Sequence, residues 1–312
     1  MVQLSHACIY LVIRALSVIL YFQLLFIPVA SGTNSPQETT QITIPPLDNN
    51  HSDHAQYFVR LLDLALEKTK SEGTFIISHT QKIMSQARSI VSLEQGVDIN
   101  VMWTMTSKER ESRLFPIRIP LIKGLLGYRV FLIRKSDQAL FNNITTLDEL
   151  SEFKAGQGAD WPDTKILQSN GLKVITNTKF KLLFSMLERQ RFDYFPRGMS
   201  EAWSELEHNK DKGLMVEPTI LLKYPAPMYF FVSQKNKALG ERIERGLLQA
   251  INDGSFDDLF YNFPAHKAIF SQTNIEGRKQ FELSNPYLSK ETPINNESLW
   301  YRPDLFHSIK DK

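Results

Sequence analysis

The sequence is poor in the residues and signatures that most catalysis requires. Its 312 residues include one cysteine, Cys8. That residue falls in an amino-terminal segment expected to be removed, so disulfides, a thiol nucleophile and Cys-ligated zinc are excluded for the remainder. There is no G-x-S-x-G elbow, no G-x-x-x-x-G-K phosphate loop, no H-E-x-x-H and no G-x-G-x-x-G, which favours binding over catalysis. Charge of one sign is not in excess either. The 36 Lys+Arg against 34 Asp+Glu leave +2, too weak a field for nucleic-acid binding driven by phosphate neutralisation. His51 and His54 lie three apart but have no third ligand nearby, so neither a metal site nor a cofactor is expected. Repeats, heptads and low-complexity tracts are absent.

From Ile9 to Val29 nearly every residue is apolar, Arg14 is the only charge, and no acid precedes Glu38. Leu16 to Ile27 form a hydrophobic core of the length found in export signals, and Val29-Ala30-Ser31 supplies small residues at the cleavage positions. Cleavage after Ser31 places the body of the protein in the periplasm, with residues 32–40 as a linker. An uncleaved anchor is the alternative, although the run from Ala15 to Ala30 is short of the ~20 residues a spanning helix needs. Beyond it, 42% apolar, 11% aromatic and 22% charged residues describe a globular chain long enough for two domains or two lobes.

Strand and helix patterns alternate along that body. Ile42–Ile44 reads as a strand. Asp53 with Gln56 reads as a capping pair ahead of a helix whose apolar face is Phe58, Leu61, Leu62, Ala65 and Leu66. After Gly73 come a strand at Thr74–Ile77, a helix with Ile83, Ala87, Ile90 and Val91 on one face, and an alternating strand through Val97, Ile99, Val101 and Trp103. Tyr128–Arg134 is a strong strand, and Thr146 with Glu149 opens a short helix as a capping box. A helix over Asp160–Ser169 stops at Asn170-Gly171, followed by a strand at Leu172–Ile175 and a helix carrying Phe180, Leu183, Phe184 and Leu187. Further on, Tyr224-Pro225-Ala226-Pro227 separates two extended segments, and Ser255 with Asp258 opens a late helix. This order predicts an α/β fold built on parallel units. After His266 the chain is broken by prolines and has no functional reading.

Trp103-Thr104-Met105-Thr106-Ser107-Lys108-Glu109-Arg110, between a strand and Leu114-Phe115-Pro116, resembles the threonine-to-arginine segment of amino-acid-binding periplasmic solute-binding proteins of the type II-like branch. Asp193 after Arg191-Phe192 resembles that family's turn between two strands, and Gln157–Asp163 with Asp193–Gly198 resembles an orphan transporter substrate-binding-like subset. The resemblance runs from about Ile42 to Phe263. It implies a two-lobed fold with two hinge-strand crossovers, the first at Tyr128–Arg134 and the second at Met228–Val232. The first lobe would hold residues 41–130 and 228–312, and the second residues 131–227. It further implies a ligand cleft between the lobes and a carboxylate clamp at Arg110.

The family's ammonium-binding acid has no counterpart at Arg197 and Gly198, so a second arginine, Arg197, points to an anionic ligand. Trp103, Tyr128 and Trp161 are candidate stacking walls, and Thr104 and Gln157 candidate polar contacts. Gln157–Asp163 also offers a helix start that either receives an anion or is capped by Asp160. Bland alternatives stand beside each: a surface charge cluster for Arg110, a pair with Glu201 for Arg197, core packing for both tryptophans. Partners implied are a small-molecule ligand and a membrane permease or sensor protein, with the chain acting as a monomer. An enzyme of the dehydratase kind on the same scaffold would use Asp160, Asp163 or Glu201 as its acid.

Overall fold

The computed structural model describes residues 39–46 and 52–301. The expected export signal and cleavage site, Cys8, most of the expected linker, His51 and the side chains of Asp53 and His54 lie outside the described residues.

Chain order in the first lobe begins with β1 (Thr40–Ile44), α1 (Ser52–Lys68), β2 (Phe75–His79) and α2 (Gln86–Gln95). It continues with β3 (Met102–Met105), α3 (Lys108–Arg113) and β4 (Leu114–Ile117). β1 and β2 pair in parallel, as alternation with a helix requires. The stripe read from the sequence of α1 is buried at Phe58, Leu61, Leu62, Ala65 and Leu66. It packs against α9 (Lys237–Asn252).

β5 (Tyr128–Arg134) carries the chain into the second lobe, where α4 (Gln138–Asn142) and α5 (Leu147–Ser151) precede β6 (Lys154–Gly158). The expected capping box of Thr146 and Glu149 is formed. α6 (Pro162–Ser169), β7 (Lys173–Asn177) and α7 (Phe180–Glu188) follow, with β6 and β7 parallel. β8 (Phe195–Gly198), α8 (Ala202–Glu207), β9 (Leu214–Val216) and β10 (Ile220–Lys223) complete the lobe. β8, β9 and β10 all pair antiparallel to β5.

The second crossover differs from the one expected. β11 (Met228–Ser233) lies wholly within the first lobe, between β3 and β4. The strand that returns beside β5 is β10, with Leu222 opposite Arg129 and Lys223 opposite Tyr128. The two crossing segments touch through their backbones: the amide of Tyr224 donates to the carbonyl of Gly127 at 3.1 Å. A Cβ on Gly127 would lie 1.8 Å from the Tyr224 carbonyl oxygen.

Two local patterns also read differently in three dimensions. α2 starts at Gln86, with Ser85 accepting the amide of Arg88, so Ile83 lies before the helix and is 93% exposed. Val91 is exposed as well, and the buried face is Ser89, Ile90, Ser92 and Leu93. The alternation from Val97 is not a strand until Met102, because Asp98 takes a positive φ of 60°. Ile99 and Val101 are nevertheless buried, held by Asn100, whose side chain bonds the backbones of Gln41 and Thr43.

After α10 (Ser255–Asn262), whose cap is Gly254 rather than Ser255, further elements follow within the described residues. α11 (Pro264–Thr273) is followed by β12 (Lys279–Glu282), which pairs in parallel with β10. Part of the tail thus adds an edge strand beside the returning crossover, while Glu291 and Tyr301 bond Arg118 and Lys123 of the first lobe.

Candidate functional site

Elements of both lobes bring side chains to the space between them. In α3 the Ser107 side chain caps the helix by accepting the Arg110 amide at 3.2 Å, which fixes the Arg110 side chain against the end of β3. Arg110 is buried, 6% exposed. Its Nη1 donates to Thr104 Oγ1 at 2.6 Å and to the Met105 carbonyl at 2.7 Å. Nη2 donates to Gln86 Oε1 at 2.6 Å and to the Asp160 carbonyl of the opposite lobe at 3.2 Å. No carboxylate pairs with it among the described residues. Burial pushes the guanidinium down to about 10, partly opposed by the charges of Asp163, Glu109 and Asp160.

The facing wall is built on β8, the start of α8 and the start of α6. Arg197 makes a bidentate pair with Glu205 at 2.7 and 2.6 Å and reaches Glu201 at 3.0 Å. Its guanidinium lies 4.7 Å from the Trp161 ring centre and 5.0 Å from that of Phe195. Burial acts to lower its pKa, but Glu201 and Glu205 outweigh that and raise it. Arg129, on β5, pairs with Asp163 at 2.5 Å and Glu201 at 3.5 Å, while the Tyr224 hydroxyl donates to Asp163 at 2.6 Å. This wall therefore sets three carboxylates against two guanidinium groups, a formal surplus of one negative charge opposite Arg110.

Between the walls lies a cavity of about 220 Å³ lined by Phe58, Trp103, Thr104, Trp161, Arg197 and Glu201, with Gln86 and Met228 at its edge. A smaller space of about 80 Å³ continues towards Arg129 and Asp163. Arg110 lines a wider outer cavity of about 480 Å³ with Lys108, Asp160, Lys165 and Tyr287. The inner space is mostly apolar and aromatic with a few converging polar groups, the composition of a small-molecule site.

Of the candidates, Trp103, Thr104, Trp161 and Arg197 line the inner cavity, while Arg110 lines the outer one and reaches the inner through its bond to Thr104. Two further candidates line neither. Gln157 is fully buried and donates to the Pro196 carbonyl at 3.2 Å, inside the second lobe. Tyr128 faces the hinge side, with Lys223 and Trp300. Arg197 is held by the expected Glu201 and by Glu205. Asp160 does not cap α6, whose cap residue is Trp161 with no side-chain cap bond. Gln86 and Phe58 were missed as site residues: Phe58 belongs to the apolar stripe of α1 and looks like any core residue, and nothing in the spacing around Gln86 marks it.

No family model matches the chain, and no curated protein matches it. Solved structures do. A Salmonella typhimurium periplasmic binding protein of high arginine specificity is 13% identical, with 72% of this chain and 99% of that chain covered at a TM-score of 0.53. A histidine kinase sensor domain with similarity to periplasmic binding proteins is 13% identical over 73% of this chain and 96% of its own, at 0.54. The fold is that of the periplasmic solute-binding proteins, in the type II-like branch. An ancestral amino-acid-binding protein, a precursor of cyclohexadienyl dehydratase, is similar too, at 13% identity, 72% and 94% coverage and a TM-score of 0.50. About a quarter of this chain lies outside each of these overlaps.

Proposed function

We propose that this chain is a periplasmic solute-binding module, released from its signal near Ser31, that captures a small carboxylate-bearing metabolite by closing its lobes about β5 and β10. The observation that carries the reading is Arg110: a guanidinium buried without a carboxylate, whose outer edge meets only a side-chain amide and a carbonyl of the other lobe. Parting of the lobes withdraws the Asp160 carbonyl, the Gln86 side chain is free to swing aside within its own lobe, and a ligand carboxylate would replace these two neutral acceptors by charge-assisted bonds. Arg242 and Arg278 also end on backbone carbonyls, but Arg110 differs in opening on a cavity between lobes.

The facing wall modifies the expectation of a doubly anionic ligand. Arg197 is already neutralised, and the surplus negative charge there favours a neutral or cationic second end. A binding role is favoured over an enzymatic one because Asp163 and Glu201 are both engaged by arginines, and the third candidate acid, Asp160, is exposed on the outer cavity rather than lining the inner one. The module acts as a monomer without cofactor and presents its closed form to a membrane permease or sensor protein; the likeness to a kinase sensor domain supports the second of these.

A thermal-shift screen against zwitterionic amino acids, monocarboxylates and dicarboxylates tests the reading, because a ligand that binds only the native state raises its melting temperature. A compound that stabilises the wild type should lose its effect in Arg110→Ala. Equal stabilisation of both proteins would overturn the site.

A further inference from the structure

The carboxy-terminal tail crosses the mouth of the cleft and is bonded to both lobes within four residues. Ser284 exchanges bonds with Asn170 at the end of α6, its carbonyl accepting from Nδ2 at 2.8 Å and its amide donating to Oδ1 at 3.0 Å. Three residues on, the carbonyl of Tyr287 accepts the Lys108 amide at 2.8 Å, and Lys108 Nζ donates to the Pro286 carbonyl at 3.0 Å. Between them Asn285 is tied to the Pro225 carbonyl at 2.7 Å, beside the returning crossover. The rest of the segment is anchored to the first lobe by Arg118 with Glu291 at 2.5 Å and by the Tyr301 amide to the Lys123 carbonyl at 2.7 Å.

These ties fall on the same two elements that meet across the cleft. The first turn of α3 supplies Lys108 to the tail, Glu109 to Lys165 at 3.0 Å and Arg110 to the Asp160 carbonyl. α6 supplies the other side, from Asp160 just before it to Asn170 just after it. A segment of three residue steps spans at most about 10 Å when fully extended. Opening that carries Asn170 away from Lys108 by more than the remaining slack must therefore break a tail bond as well as the contacts inside the cleft.

We propose that Leu283–Tyr287 is a latch that holds the cleft closed in the absence of ligand, so that opening and exchange depend on its release. The proposal rests on the two-lobed reading above and adds a closed resting state to it. It also assigns Asn170 and Asn285 as positioning residues, neither of which lines the inner cavity.

Double electron–electron resonance between spin labels at Lys181→Cys on α7 and Glu241→Cys on α9, in the full chain with Cys8→Ser, reads lobe separation directly. The ligand-free parent should give one short, narrow distance. Asn170→Ala should add a longer population, and Asn285→Ala, which leaves α6 untouched, should add the same one. A long distance already present in the parent and unchanged in both variants would overturn the latch while leaving hinge motion intact. A single short distance in all three, in proteins of unchanged melting temperature, would overturn the latch and hinge capture together.

Discussion

The Arg110 guanidinium donates to the carbonyl of Asp160 at 3.2 Å, joining the first turn of α3 in one lobe to the start of α6 in the other. A second bond from the same Nη2, to Gln86 Oε1 at 2.6 Å, places a neutral oxygen where a ligand carboxylate would bind. One guanidinium thus joins groups of both lobes.

Replacing that oxygen by a charged one should imitate a bound ligand. Gln86→Glu puts a carboxylate on Arg110, and exchanging a neutral hydrogen bond for a charge-assisted one should stabilise the fold by about 1 kcal/mol. Affinity for a carboxylate ligand should fall in parallel. Arg110→Ala should weaken the same ligand by about 2 to 5 kcal/mol without the gain in stability. Calorimetric titration and melting curves separate the two variants.

Arg197 should matter more to folding than to binding. It is 4% exposed and faces Glu205, itself 2% exposed. Arg197→Ala removes the bidentate partner of Glu205 and leaves Glu201 its longer contact with Arg129, and should destabilise the protein by about 3 to 5 kcal/mol. Arg197→Met combined with Glu205→Gln should recover much of that, because the buried charge is removed with its partner. A denaturant midpoint unchanged in Arg197→Ala would show that the pair carries no structural load.

Glu109 gives the closed state a pH dependence. Its hydrogen bond to Lys165, with the charge of Lys165 behind it, holds the carboxyl below the ordinary glutamate range. A depressed carboxyl contributes fully above its ordinary value of about 4.3 and loses that contribution as pH falls through the lowered one. The side chains are 67% and 60% exposed, so the effect should stay under about 1 kcal/mol. The stability difference between wild type and Glu109→Gln should therefore be constant near neutrality and vanish on acidification. A difference that persists at low pH would assign it to something other than the charge on Glu109.

The sequence makes legible what depends on local periodicity. The stripe on α1, the Thr146 capping box, Tyr128–Arg134 and the face of α7 are each set by residues three, four or two apart, and each is where its pattern places it. Trp103, Thr104 and Arg110 are named as candidates by the segment that resembles solute-binding proteins, and Trp161 by the run Gln157–Asp163. What stays hidden is set by long-range pairing. Met228–Ser233 and Ile220–Lys223 are both apolar extended runs, and only their partners in space decide which one lies beside β5. Glu205 meets Arg197 because β8 and α8 fold together, whereas the four-residue spacing rule points only to Glu201. The later tail carries no periodic signal because its buried leucines, Leu283, Leu288 and Leu299, are spaced too irregularly to mark a helix face or a strand face.

The hinge should be sensitive at one glycine in particular. A Cβ at Gly127 would lie 1.8 Å from the Tyr224 carbonyl oxygen and 3.1 Å from its carbon, so the obstacle is backbone and no rotamer change relieves it. Gly127→Ala must push β5 and β10 apart where Lys223 faces Tyr128, and overpacking of this kind costs about 1 to 3 kcal/mol. Gly171→Ala is the comparison: that residue has φ +81° with nothing within 4 Å of an added Cβ, so only left-handed backbone strain of about 1 to 2 kcal/mol applies. Both variants should melt lower than wild type. The Gly127 variant alone should also change the angle between the lobes, read as a shift in radius of gyration by small-angle scattering. If the two variants scatter alike, the contact of Gly127 with Tyr224 does not set the geometry of the hinge.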